Sequence, residues 1–139
     1  MILLKFGGTS VGSAERIKEV ARLITNNKRK IIVLSAMAGT TNALVEIVEA
    51  LYSKKNEEAN NLINKLQAHY HNVARELFEE ENYNVEGKNL VDSHFDYIRT
   101  FTQDMFTVHE ERAIPSYDKV MSSGYILRVK AEFYYIDII

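Results

Sequence analysis

The chain contains no cysteine, which excludes disulfides, thiolate nucleophiles and thiolate-bound metals. It has no tryptophan and a single proline, Pro115. No apolar run approaches membrane-spanning length, and residues 1–4 are too short for the apolar part of a secretory signal. Strong charge of either sign is also missing. With 17 basic and 19 acidic residues the formal net charge is −2, which favours neither nucleic acid nor an anionic membrane surface as partner. A cytoplasmic location is expected. The remaining composition, 46% hydrophobic and 26% charged over 139 residues, suits one soluble globular domain or a piece of one.

Glycine is scarce as well, and its placement is uneven: of six, Gly7, Gly8 and Gly12 fall in the first dozen residues. They follow a short apolar run that carries Lys5, and Ser13 then opens a helical pattern. Adjacent glycines let backbone N–H groups approach an anion, and a helix N-terminus attracts negative charge. A strand–loop–helix phosphate cradle is one reading; a tight turn with an incidental lysine is the other. A Walker A loop is excluded, because Ser13 stands where its lysine is required, and the dinucleotide fingerprint fails because Gly7 and Gly8 are adjacent.

Residues 2–6 read as a buried strand and 14–27 as a helix, with Ser13 as N-cap and Ile17, Val20, Ala21 and Ile24 on one face. The run Lys28-Arg29-Lys30 reads as a solvated turn before a second strand, Ile31 to Leu34. Strand, helix, strand with short connections implies a parallel pair with a right-handed crossover. A further helix is expected from about Thr41 to Lys54. Leu62, Ile63, Leu66, Tyr70, Val73, Leu77 and Phe78 then repeat at helical spacing, as do Val91, Phe95, Ile98, Phe101, Met105 and Val108. A polar break near Asn82 to Lys88 would fold these two helices into a hairpin. Glu79-Glu80-Glu81 reads as a solvated helix end. His69 and His71 lie two apart and do not share a helix face, so no metal site is expected from them, nor from the isolated His94 and His109. Pro115 marks a break, Ser116 could cap another helix, and residues 133–139 read as a strand.

The second strand runs into Ser35-Ala36-Met37-Ala38-Gly39-Thr40-Thr41-Asn42. Ligands of open parallel sheets sit beyond the carboxyl ends of the strands, where both loops emerge. Ser35, Thr40, Thr41 and Asn42 offer hydroxyls and an amide to a polar ligand; helix capping by Thr40 or Thr41 is the more usual role of any one of them, but it does not explain the whole cluster. Together, Lys5-Phe6-Gly7-Gly8-Thr9-Ser10-Val11 and this second loop resemble the N-terminal part of aspartokinases. The resemblance is strong over residues 2–54 and weaker to about Gly124. It implies an α/β fold, the N-terminal part of a three-layer α/β/α amino-acid-kinase (carbamate-kinase-like) domain with a helical hairpin insertion. Residues 1–139 would be a single partial domain: 1–54 the nucleotide and substrate part, 55–113 the hairpin, 114–139 a divergent segment.

The resemblance further implies phosphorylation of the side-chain carboxylate of L-aspartate by ATP, with Mg2+ accompanying the nucleotide. Lys5 would be catalytic and, with Phe6, Gly7, Gly8, Thr9 and Ser10, would hold ATP; Ser35 and Thr41 would bind aspartate. A homo-oligomer is expected, since two parallel strands alone make a poor sheet unless residues 133–139 or a second copy covers an edge. Near residue 124 the match to the family fails. Tyr125 stands where a glutamate is expected, and Arg128 and Val129 replace a hydroxyl-bearing step. Loss of such a charge-assisted contact costs about 1.5–3 kcal/mol. The expectation is a truncated or frame-altered aspartokinase product, inactive or impaired by itself. A non-catalytic nucleotide-binding module and a helical interaction fragment are the alternatives. Lys5-dependent ATP binding separates the first two readings from the third, and acyl phosphate formation separates the first from the second.

Overall fold

The computed structural model describes residues 2–26 and 28–109, with side chains to Gln103. In chain order these form β1 (Ile2–Phe6), α1 (Ala14–Ile24), β2 (Lys30–Leu34), α2 (Thr40–Tyr52), α3 (Asn56–Leu77) and α4 (Glu81–His109). β1 and β2 are parallel and in register from Ile2 opposite Lys30 to Phe6 opposite Leu34. The expected parallel pair, with α1 as its crossover, is therefore present. The expected strand at 133–139 and the segment around Pro115 lie outside the described residues.

α1 begins where its sequence predicts. Ser13 is extended (φ −153°), and its hydroxyl accepts the Arg16 N–H at 3.3 Å. The helix ends at Ile24, short of the expected Asn27, because other groups take its last carbonyls. The Thr25 hydroxyl donates to the Ala21 carbonyl (2.9 Å) and the Lys30 ammonium to that of Ile24 (2.8 Å). Lys30, read from the sequence as part of a solvated turn, thus caps a helix.

Most of the apolar core is helical. Leu44, Ile47, Ala50 and Leu51 of α2 meet Ala59, Ile63 and Leu66 of α3 and Phe95 and Ile98 of α4. Phe95 and Ile63 have no exposed surface. A second cluster joins Ala14, Met37 and Val73, bringing α1 and the β2–α2 loop onto α3. The expected burial of β1 is not observed. Ile2 and Leu3 are 50% and 63% exposed, and Ile31 and Val33 of β2 are 42% and 41% exposed. Exposure alternates: Leu4, Phe6, Ile32 and Leu34 are half-buried, while Leu3, Lys5, Ile31 and Val33 face outward. Among the described residues the sheet has two strands, and the most extensive helix packings are α1–α3, α2–α3 and α3–α4.

The hairpin turn also differs from expectation. Phe78, Glu79 and Glu80 alone separate α3 from α4, and the polar stretch Asn82 to Lys88 is helical. Asn84 explains part of this: its amide donates to the carbonyls of Phe78 (3.1 Å) and Arg75 (3.3 Å), closing the end of α3. Gly87 explains the rest. A Cβ there would lie 2.8 Å from the Phe78 ring, so this glycine makes room for packing and does not break the helix. Polar side chains tie the hairpin together farther along. Asp92 accepts from Gln67 (2.7 Å) and lies 2.7 Å from His71, and Arg99 donates to Asn64 (2.8 Å).

α2 ends in a Schellman arrangement, with Lys54 N–H on the Leu51 carbonyl (3.0 Å) and Lys55 N–H on that of Ala50 (2.9 Å). Lys54 carries the left-handed turn at φ 57°, where glycine is preferred. Lys54→Gly is expected to raise unfolding free energy by about 1 kcal/mol in urea denaturation, by relieving that backbone conformation.

Candidate functional site

Past the strands, the backbone of β1 stays bonded to the chain leaving β2. Ser35 N–H donates to the Phe6 carbonyl at 3.0 Å, and Ala38 N–H donates to the Gly8 carbonyl at 3.2 Å. The two loops leaving the carboxyl ends of β1 and β2 therefore lie side by side. Gly8 is required by this approach: a Cβ would sit 2.8 Å from the Ala36 carbonyl oxygen. Gly12 is nearly as confined, with a Cβ there 3.1 Å from the Gly8 carbonyl oxygen and 3.3 Å from the Ala38 side chain. Gly7 differs, since open space surrounds it and the Ser10 N–H closes a turn onto its carbonyl at 2.9 Å.

Lys5 is exposed on the outward face of β1, in register with Val33, and Phe6 is half-buried opposite Leu34. Thr9 is exposed, Ser10 half-buried and Val11 buried, so Val11 anchors the first loop. Arg16 adds a bond that the sequence did not reveal: from the first turn of α1 its guanidinium donates to the Thr9 carbonyl at 2.6 Å. That bond holds the far side of the glycine loop and places a second cation beside it. An arginine at the third position of a helix that follows a glycine loop is the signal that could have found it.

In the second loop Ser35 is half-buried, Met37 is buried, and Thr41 and Asn42 are exposed. Gly39 precedes α2 at φ 87°, a conformation open to glycine, and provides no side-chain cap. The expected cap by Thr40 or Thr41 is thus not observed. Thr40 is 2% exposed, and its hydroxyl lies 2.8 Å from the Tyr70 hydroxyl of α3. Burial pushes the Tyr70 phenol above its ordinary pKa, and the Thr40 hydrogen bond partly offsets this. Tyr70 was legible in the sequence only as a member of an apolar helical stripe, because nothing local marks a partner thirty residues away.

Backbone contact thus sets Phe6 and Gly8 against Ser35 and Ala38, so that the loop of Gly7 to Ser10 adjoins the loop that leads into α2, whose first turn carries Thr41. His69 and His71 diverge as their spacing predicted, His69 edge-on to Tyr70 (centroids 6.0 Å) and His71 toward Asp92. Among the described residues no three His, Asp or Glu side chains converge on a metal position. No described helix is long and apolar enough to cross a membrane.

Residues 1–127 match the model of the amino acid kinase family, reaching just past Gly124. The chain is 57% identical over 49 residues to aspartokinase 2, chloroplastic, of Arabidopsis thaliana, covering 34% of this chain and 9% of that protein. It is 45% identical over 60 residues to an aspartokinase of Rickettsia felis, covering 40% and 15%. To an aspartate kinase of Pseudomonas putida it is 44% identical over 55 residues, covering 37% and 13%. The matched stretch spans between 9% and 15% of these relatives' lengths.

The contrast between the adjacent glycines is measurable by urea denaturation. Gly8→Ala should lose about 1–3 kcal/mol, because the backbone must open where the Cβ meets Ala36. Gly7→Ala should stay within about 0.5 kcal/mol of wild type.

Proposed function

The chain belongs to the amino acid kinase family, and from that premise we propose that it is the N-terminal part of an aspartokinase catalytic domain. The proposed reaction moves the γ-phosphoryl group of ATP to the side-chain carboxylate of L-aspartate, giving 4-phospho-L-aspartate. This is the entry step of lysine, threonine and methionine biosynthesis. The finer architecture belongs to the same proposal: one partial three-layer α/β/α domain, with 55–113 as a helical hairpin insertion and assembly into a homo-oligomer. The observation that carries the reading is the backbone contact between Gly8 and Ala38, which sets the glycine loop directly against the loop of Ser35 and Thr41.

Phosphoryl transfer to a carboxylate requires two anions to be brought together. The nucleophile is already ionised at neutral pH, so a strong base is unnecessary; the chain must supply positioning and positive charge. As the carboxylate oxygen bonds to phosphorus, the bond to the ADP oxygen breaks, and charge accumulates on the transferred group. Lys5, exposed at the end of β1, is assigned to that charge. The backbone of Gly7 and Gly8, with Thr9 and Ser10, would hold the phosphates, and open space at Gly7 leaves room for them. Phe6 would contribute to the nucleotide site, and Ser35 and Thr41 would hold aspartate. Mg2+ would accompany the nucleotide and neutralise charge on its phosphates. The Tyr125 substitution lies outside the described residues; in this reading it weakens aspartate binding in the isolated chain.

Titration of Mg·ATP into the chain by calorimetry tests the reading. Lys5→Ala should weaken binding about tenfold or more, the worth of a charge-assisted contact. Equal affinity in the variant, or no binding by wild type, would reduce the relation to one of descent. Hydroxamate trapping of acyl phosphate with ATP and aspartate tests the transfer itself.

A further inference from the structure

Beyond the two loops, one buried polar contact links the second loop to the helical hairpin. The first turn of α2 has an unusual beginning. Its N-cap is Gly39 in a left-handed conformation, and no side chain caps the turn. Its backbone bonds are Thr40 N–H to the Met37 carbonyl (3.2 Å) and Ala43 N–H to the Gly39 carbonyl (3.0 Å). At that turn Thr40 points inward and is buried, while Thr41 is exposed. The Thr40 hydroxyl reaches the Tyr70 hydroxyl of α3 at 2.8 Å. Tyr70 packs against both core clusters and meets the fully buried Phe95 ring of α4 at 6.0 Å between centroids. A continuous chain of contacts thus runs from the second loop through Thr40 and Tyr70 to the middle of the hairpin.

We infer that Tyr70 is a positioning residue, which fixes the first turn of α2 through Thr40 and so sets where Thr41 meets an α-amino-acid substrate. The substrate part rests on the proposed role of Thr41; the mechanical part does not. A phenol is protonated at neutral pH, and burial pushes that of Tyr70 further above its ordinary pKa, so the hydroxyl pair keeps its proton there. The hairpin is then a prop for the substrate loop: apolar packing of Met37 and α2 seats the loop on it, and the Thr40–Tyr70 hydroxyl pair sets the orientation of the first turn.

Amide hydrogen exchange on the whole chain separates these parts. Tyr70→Phe keeps the ring and removes the hydroxyl, and Thr40→Val removes its partner. In each variant the Thr40 and Ala43 amides should exchange about threefold to tenfold faster, while amides around Ile63 in α3 keep their wild-type rates. Thr40→Ser, which retains a hydroxyl, should restore the wild-type pattern. Unchanged rates at Thr40 and Ala43, or uniform acceleration that includes Ile63, would overturn the inference. Calorimetric titration of L-aspartate tests the substrate link. Tyr70→Phe should weaken aspartate about tenfold and leave Mg·ATP within about twofold. Equal aspartate affinity in variant and wild type would overturn the substrate link. Wild type that binds no aspartate would overturn the reading of Thr41, with the exchange pattern still deciding the role of Tyr70.

Discussion

The arrangement of the candidate site depends on how closely two backbones approach. The Gly8 carbonyl accepts a hydrogen bond from Ala38, and no Cβ fits at Gly8 against the Ala36 oxygen. That contact extends the pairing of β1 and β2 beyond the strands and forces two loops to share one end of the sheet. Everything proposed for Lys5, Ser35 and Thr41 depends on that shared position. A parallel pair serves this purpose because both strands deliver their loops to the same edge, whereas an antiparallel pair would send them to opposite edges.

Stability and site are carried by different parts of the chain. The helices hold most of the buried apolar surface, with Phe95 and Ile63 at the centre, and the sheet that carries Lys5 has one face open to solvent. Met37 and Val11 tie the loops down by packing, and Arg16 ties the first loop by a hydrogen bond. Buried anchors beneath exposed polar groups let such loops keep their shape while their functional groups remain accessible. Thr40 and Thr41 show this at single-residue scale: one neighbour is buried in a hydroxyl pair and the other is exposed.

Much of this was legible in the sequence, where local chemistry decided the outcome. Ser13 as a cap and the β1–α1–β2 order follow from residue types within a few positions of one another, and the shared edge of the two loops follows from that parallel order. The misreadings arose where a distant partner decided. The Asn82 to Lys88 stretch has the composition of a break, yet Asn84 caps the preceding helix and Gly87 accommodates Phe78, so it is helical. Lys30 resembles a solvated turn residue until the Ile24 carbonyl is found beside it. β1 has the apolar content of a buried strand, but burial depends on what covers it, and composition carries no such information. Thr40 was a capping candidate because the Tyr70 hydroxyl lies thirty residues away.

The central claim is that one end of this parallel pair receives nucleotide on the first loop and amino acid on the second. Backbone amide chemical shifts, followed by NMR during separate additions of Mg·ATP and L-aspartate, test it most directly. The account predicts nucleotide-induced changes concentrated at Gly7 to Ser13 and aspartate-induced changes concentrated at Ser35 to Ala43. Changes centred instead on α3 and α4, or the same residues responding equally to both ligands, would contradict it.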